Sequence, residues 1–81
     1  MRVKVRLFAR LREIAGTGEL DRDMPENSTL GAVWDVLAGE FPGFSPYRTS
    51  VSGAVNADYA RRDALVHEGD EVAFLPPVSG G

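Results

Sequence analysis

Three features of the chain point to an α+β roll, a mixed sheet packed on one main helix. A run near the start alternates apolar with polar residues, a central run repeats apolar residues at three-and-four spacing, and a late run, "EVAFL", alternates again. Strands that flank one long helix must offer it a sheet face on which to bury its stripe, and that is an α+β arrangement. At 81 residues the chain is one domain that buries roughly 60% of its unfolded surface, which leaves little room for an enclosed pocket.

Residues 2–9 are predicted as the first strand, with Val3, Val5, Leu7 and Ala9 on one face and Lys4, Arg6 and Phe8 on the other. "ARLREIAG" follows as a short helix, with Leu11, Ile14 and Ala15 at helical spacing and Gly16 as its stop. Residues 19–24 form a weaker strand whose apolar members are Leu20 and Met24, closed by Pro25. In "NSTLGAVWDVLAGEF", Ser28 or Thr29 caps the main helix. Leu30, Val33, Trp34, Leu37 and Phe41 build its apolar stripe, and Pro42 stops it. "PGFSPYRTS" is a loop by composition. Residues 51–56 read as a third strand with a bulge expected at Gly53, residues 63–66 as a short bridging piece, Gly69-Asp70 as a turn and residues 71–75 as the last strand.

Composition removes several classes of function. Nine basic residues against twelve acidic ones give a net charge of -3, so general attraction to nucleic acid is not expected. Arg2, Lys4, Arg6, Arg10 and Arg12 precede the first acid, as in some transit peptides, but the period of two belongs to a strand. No apolar run approaches the ~20 residues of a bilayer span, no signal peptide is visible, and the expected compartment is the cytoplasm. The absence of cysteine excludes disulfides, thiolate metal sites and thiol catalysis. His67, the single histidine, is expected at the surface; no metal site and no bound cofactor are expected.

What remains outside the core is informative. Alternation that turns Val5 and Leu7 inward turns Phe8 outward, and alternation that buries Val72 and Phe74 turns Leu75 outward. A helical crossover lays the first and last strands side by side in parallel, which brings Phe8 and Leu75 together, with Tyr59 nearby in the loop after the third strand. Beyond the domain at 1–75, Pro76 and Pro77 fix an extended backbone without amide hydrogens, so residues 76–81 leave as an arm. Val78 and Ser79 lead to Gly80 and Gly81, a flexible end without side chains that can thread a narrow channel.

The stretches "VKVRLFARLREIAG", "AVN" at 54–56 and "EGDEVAFLPPVSGG" together resemble the MoaD-like small, sulfur-carrying subunits of molybdopterin synthase, which have the ubiquitin-like β-grasp fold. The resemblance implies a cycle at Gly81. A partner adenylyltransferase of the ubiquitin-activating type uses ATP to make an acyl-adenylate of the terminal carboxylate, and a sulfur donor displaces AMP to leave a thiocarboxylate. The large synthase subunit, paired with the carrier in a heterotetramer, then receives the tail, and the sulfur is passed to cyclic pyranopterin monophosphate to build the dithiolene of the molybdenum cofactor. By the same resemblance Phe8, Tyr59 and Leu75 contact both partners. Tyr59 departs from the family pattern, which has a simple aliphatic there, and the 42–50 stretch is more proline-rich.

One residue-level argument agrees with this cycle: a chain without cysteine cannot carry sulfur on a side chain, which leaves a terminal acyl group as its covalent site. Acid, base and metal must then come from partners. Three alternatives stay open: a carrier serving thiamine or cysteine synthesis, a modifier that joins its carboxyl end to lysines, and a plain binding module. Lys4 is the only lysine, which speaks weakly against chain-building by a modifier.

Overall fold

The computed structural model describes residues 1–77. Val78, Ser79, Gly80 and Gly81, read above as the tail, lie outside the described residues. In chain order the elements are β1 (Arg2–Leu7), α1 (Ala9–Ala15), β2 (Glu19–Asp23), α2 (Leu30–Glu40), a 3₁₀ helix (Pro42–Tyr47), β3 (Ser52–Val55), β4 (Asp58–Ala60) and β5 (Glu71–Leu75). The sheet runs β2-β1-β5-β3-β4; only the central pair, β1 with β5, is parallel, and its other pairs are antiparallel.

The period of two in β1 is realised residue by residue. Val3, Val5 and Leu7 are buried while Arg2, Lys4 and Arg6 are exposed. Val72 and Phe74 of β5 extend the same face, and Leu30, Val33, Trp34 and Leu37 of α2 pack onto it. Trp34 is the hub, stacked on Phe44 at 5.3 Å and edge-on to Phe74 at 5.2 Å between ring centroids. Thr29, not Ser28, caps α2: its hydroxyl oxygen accepts the Ala32 N–H at 3.1 Å. Ser28 is buried, and its hydroxyl donates to the Pro25 carbonyl at 2.7 Å.

Four expectations need correction. The first strand ends at Leu7, two residues early, because the chain turns at Ala9 (φ +50°) into α1; Ala9 is exposed instead of facing the core. The stretch after α2 is no simple loop, since Pro42 sits where the first turn of a helix tolerates proline and the 3₁₀ turns carry Phe44 to zero exposure. Gly53 forms no bulge. It pairs in register with Phe74 and Ala60, and a Cβ there would lie 2.6 Å from Leu30 Cδ2, so the glycine lets α2 approach the sheet. Tyr59 lies in a strand, β4, and residues 63–66 make only a single bridge, Thr29 to Leu65.

The cations of β1 are paired within the sheet. On the face away from α2, Arg2 meets Asp21 and Asp23, Lys4 meets Glu19 at 3.0 Å and Arg6 meets Glu71. Such exposed pairs contribute little to stability individually, but they oppose any slip of β1 against β2. Arg22 points to the other face and grips Glu40, at the end of α2, through Nε at 2.7 Å and a second guanidinium nitrogen, holding that carboxyl below its ordinary range.

Two measurements check this packing. Phe44→Ala should lower unfolding free energy by about 3–5 kcal/mol in urea titration, whereas a surface loop would lose almost nothing. Gly53→Ala should cost about 1–3 kcal/mol, and combining it with Leu30→Val should cost less than the sum of the two single changes.

Candidate functional site

The face of the sheet away from α2 holds the residues left over from the core. Leu7 pairs with Phe74, and Phe8 keeps extended angles (φ −128°, ψ 157°) although it already caps α1. The next step in register therefore sets Phe8 beside Leu75, where β5 ends and Pro76 begins. Phe8 is 38% exposed and Leu75 half-buried. The Arg6 guanidinium lies 5.8 Å from the centroid of the Phe8 ring, a cation held over an aromatic face.

Tyr59 sits farther away. One row of the sheet reads Arg6, Ala73, Ala54, Tyr59 across β1, β5, β3 and β4, so Tyr59 is two strands from β5, roughly 10 Å at ordinary strand spacing. Between them Ala54 and Ala73 form a floor of short side chains, and Tyr59 stands at its rim, 78% exposed. The structure thus brings Phe8 and Leu75 together and places Tyr59 across a shallow apolar trough. The alanines were missed in the sequence reading because a small residue carries no apolar signal by itself. Their outward positions at two-residue spacing from Leu75 and Ser52 were the available sign. Val36 and Leu65 are also exposed, so exposure alone does not mark a site.

The rim is held by the turn at Asn56-Ala57, which joins β3 to β4 with both residues at positive φ, +50° and +73°. Asparagine accepts that conformation readily, alanine less so. Side-chain bonds offset the strain. Asn56 Nδ2 donates to Asp70 Oδ1 at 3.0 Å, its Oδ1 accepts the Glu71 N–H at 3.0 Å, and the His67 N–H reaches Asp70 Oδ2 at 2.7 Å. The bond from Asn56, then that from the His67 backbone, holds the Asp70 carboxyl below its ordinary range. His67 is exposed. Among the described residues no group of three His, Cys, Asp or Glu could hold a metal ion, and no helix is long and apolar enough to cross a membrane.

A five-stranded mixed sheet grasping one long helix, with its first and last strands parallel at the centre, defines the ubiquitin-like β-grasp class. The chain belongs to the ThiS family, whose model matches residues 5–81. It is 42% identical over 79 residues to the molybdopterin synthase sulfur carrier subunit of Arabidopsis thaliana, covering 98% of this chain and 82% of that one. The crystal structure of SAMP1 from Haloferax volcanii superposes with a TM-score of 0.89 at 30% identity, covering both chains completely. A chain of the complex of subunits 1 and 2 of the molybdopterin-converting factor from Helicobacter pylori superposes with a TM-score of 0.70 over the full length of both. At 22% identity, that last likeness shows the fold alone.

The pH dependence of the turn can be tested. A carboxyl with a depressed folded pKa stabilises the fold fully above its unfolded value, about 3.9, and loses that contribution as pH falls through the lower folded value. Asp70→Asn should therefore be less stable than the parent chain at pH above about 4. The gap in urea midpoint should narrow as the solution is acidified further.

Proposed function

We propose that the chain is a sulfur carrier for molybdenum cofactor biosynthesis, the sulfur-donating small subunit of a molybdopterin synthase. Membership of the ThiS family and the likeness to the plant carrier subunit support this reading. The observation that carries it is the parallel pairing of Leu7 with Phe74, whose continuation sets the exposed Phe8 beside Leu75 where residues 76–81 begin, and this reading takes that apolar step as the docking surface.

The reacting group in this reading is the carboxyl of Gly81. Carboxylate is a poor electrophile; attack of its oxygen on the α-phosphorus of ATP expels pyrophosphate and leaves an acyl-adenylate. A sulfur nucleophile then adds at the carbonyl carbon, and AMP departs with the electron pair of the broken bond. The sulfur of the resulting thiocarboxylate bonds to a carbon of cyclic pyranopterin monophosphate and displaces an oxygen substituent. Water then cleaves the acyl–sulfur bond to return the carboxylate and leave the sulfur on the pterin, and two such transfers complete one dithiolene. Both enzymes are partners: a ubiquitin-activating-type adenylyltransferase, which binds the ATP, and the large synthase subunit, in a heterotetramer. The carrier supplies position. Docking of Phe8, Leu75 and Tyr59 turns a bimolecular encounter into an oriented one, while Pro76, Pro77, Val78, Ser79 and Gly80 span the distance to the reacting centre.

The likeness to SAMP1, a small archaeal modifier protein, favours a second reading in which the activated carboxyl is joined to lysines of other proteins. Activation is common to both, and only the acceptor differs.

One experiment addresses both. The intact chain, incubated with an activating enzyme, ATP and a sulfur source, should gain the mass of one oxygen exchanged for sulfur, and removal of Gly81 should abolish the gain. Added large subunit and pyranopterin substrate should reverse it. Conjugate ladders on a denaturing gel, with no sulfur transfer, would support the modifier instead. Phe8→Glu with Leu75→Glu should weaken the large-subunit complex at least tenfold without altering the fold, measured by titration calorimetry and circular dichroism.

A further inference from the structure

On the helix side of the sheet an open cleft of about 290 Å³ separates α2 from the β3 and β4 edge. Its floor is apolar, formed by Leu30, Trp34, Val51 and Phe74, and Arg61 and Arg62 line it beside β4. The volume is near the lower end for ligand pockets, roughly 300–1,000 Å³, and suits one apolar side chain.

Three features specify the occupant. Trp34 and Phe74, both 2% exposed, give the cleft a closely packed apolar wall. Arg2, Lys4, Arg6, Arg10, Arg22 and Arg48 all hold ion pairs, whereas Arg61, Arg62 and, away from the cleft, Arg12 hold none among the described residues. No carboxylate lines the cleft, in a chain of net charge -3. The third feature is the strand order, which ends at β4 and leaves its outer edge without a neighbour among the described residues.

We propose that this cleft is a second docking site, which takes an extended segment of a partner protein that carries an apolar residue with an acidic residue two positions to either side. The segment adds to the edge of β4 through main-chain hydrogen bonds. Every second side chain then faces α2, the central apolar one entering the cleft and the acidic ones two residues to either side meeting Arg61 and Arg62 as charge-assisted pairs. The cleft opens on the helix side and Phe8 and Leu75 lie on the other face, with Tyr59 bordering both. The inference does not depend on the carrier reading.

Trp34 is the single tryptophan, so its indole N–H gives one resolved NMR signal that reports the cleft directly. The full chain is titrated at low salt with a blocked heptapeptide carrying Leu at its centre, Glu two positions to either side and Ser or Thr elsewhere, with the same peptide carrying Lys for Glu, and with free glutamate. The acidic peptide should shift the Trp34 indole signal, slow amide exchange across 58–60 and bind at least tenfold more tightly than the lysine version. R61E combined with R62E should weaken it at least tenfold while large-subunit binding stays unchanged. Equal binding of both peptides, shifts centred on Phe8 and Leu75, or an unchanged affinity in the double variant would overturn the proposal. So would equivalent shifts with free glutamate, meaning an adventitious ion only, or concentration-dependent shifts without peptide, meaning a second copy of the chain.

Discussion

The pairing of β1 with β5 is the constraint on which the rest of the molecule depends. Among the described residues it is the sole parallel contact in the sheet, and through it β1 and β5 share one ladder. Parallel neighbours require a connection that crosses over the sheet, and α2 lies on that path, which is why its stripe covers Val3, Val5, Val72 and Phe74. The same ladder brings Phe8 to Leu75. Packing and proposed docking surface are thus two sides of one register.

The two faces of the sheet divide the work. Toward α2 everything converges on Trp34, with Phe44 delivered from the 3₁₀ turns and Leu30 seated over Gly53. Toward solvent, the β1 cations are matched by acids of β2 and β5, and the charge ladder gives way to the alanine floor and its aromatic rim. A strongly basic segment therefore leaves no basic surface there. Apolar docking residues beside a neutralised ladder suit a protein partner better than a polyanion.

Among the described residues the perturbed carboxyls, Glu19, Glu40 and Asp70, each have a structural partner, Lys4, Arg22 and Asn56, which accounts for their shifts without a catalytic role. The residues left outside the core are held in place: the Asn56 turn fixes the rim at Tyr59, and Phe8 keeps extended backbone angles on the other side.

The sequence by itself determined whatever is set by local period. Alternation specified the inward and outward faces of β1 and β5, three-and-four spacing specified the stripe of α2, and the two together specified a mixed sheet on one helix with Phe8 and Leu75 outside. Tertiary structure decided whatever depends on a distant neighbour. Phe44 sits in a proline-rich stretch that reads as loop until Trp34 is placed against it, and Gly53 reads as a bulge until Leu30 occupies the space its side chain would need. The three residues of β4 are too few to show a period, and Ala57 disguised its turn. The alanine floor and the arginine-lined cleft exist only in register, because periodicity records which way a side chain points along its own element and carries no information about what stands opposite.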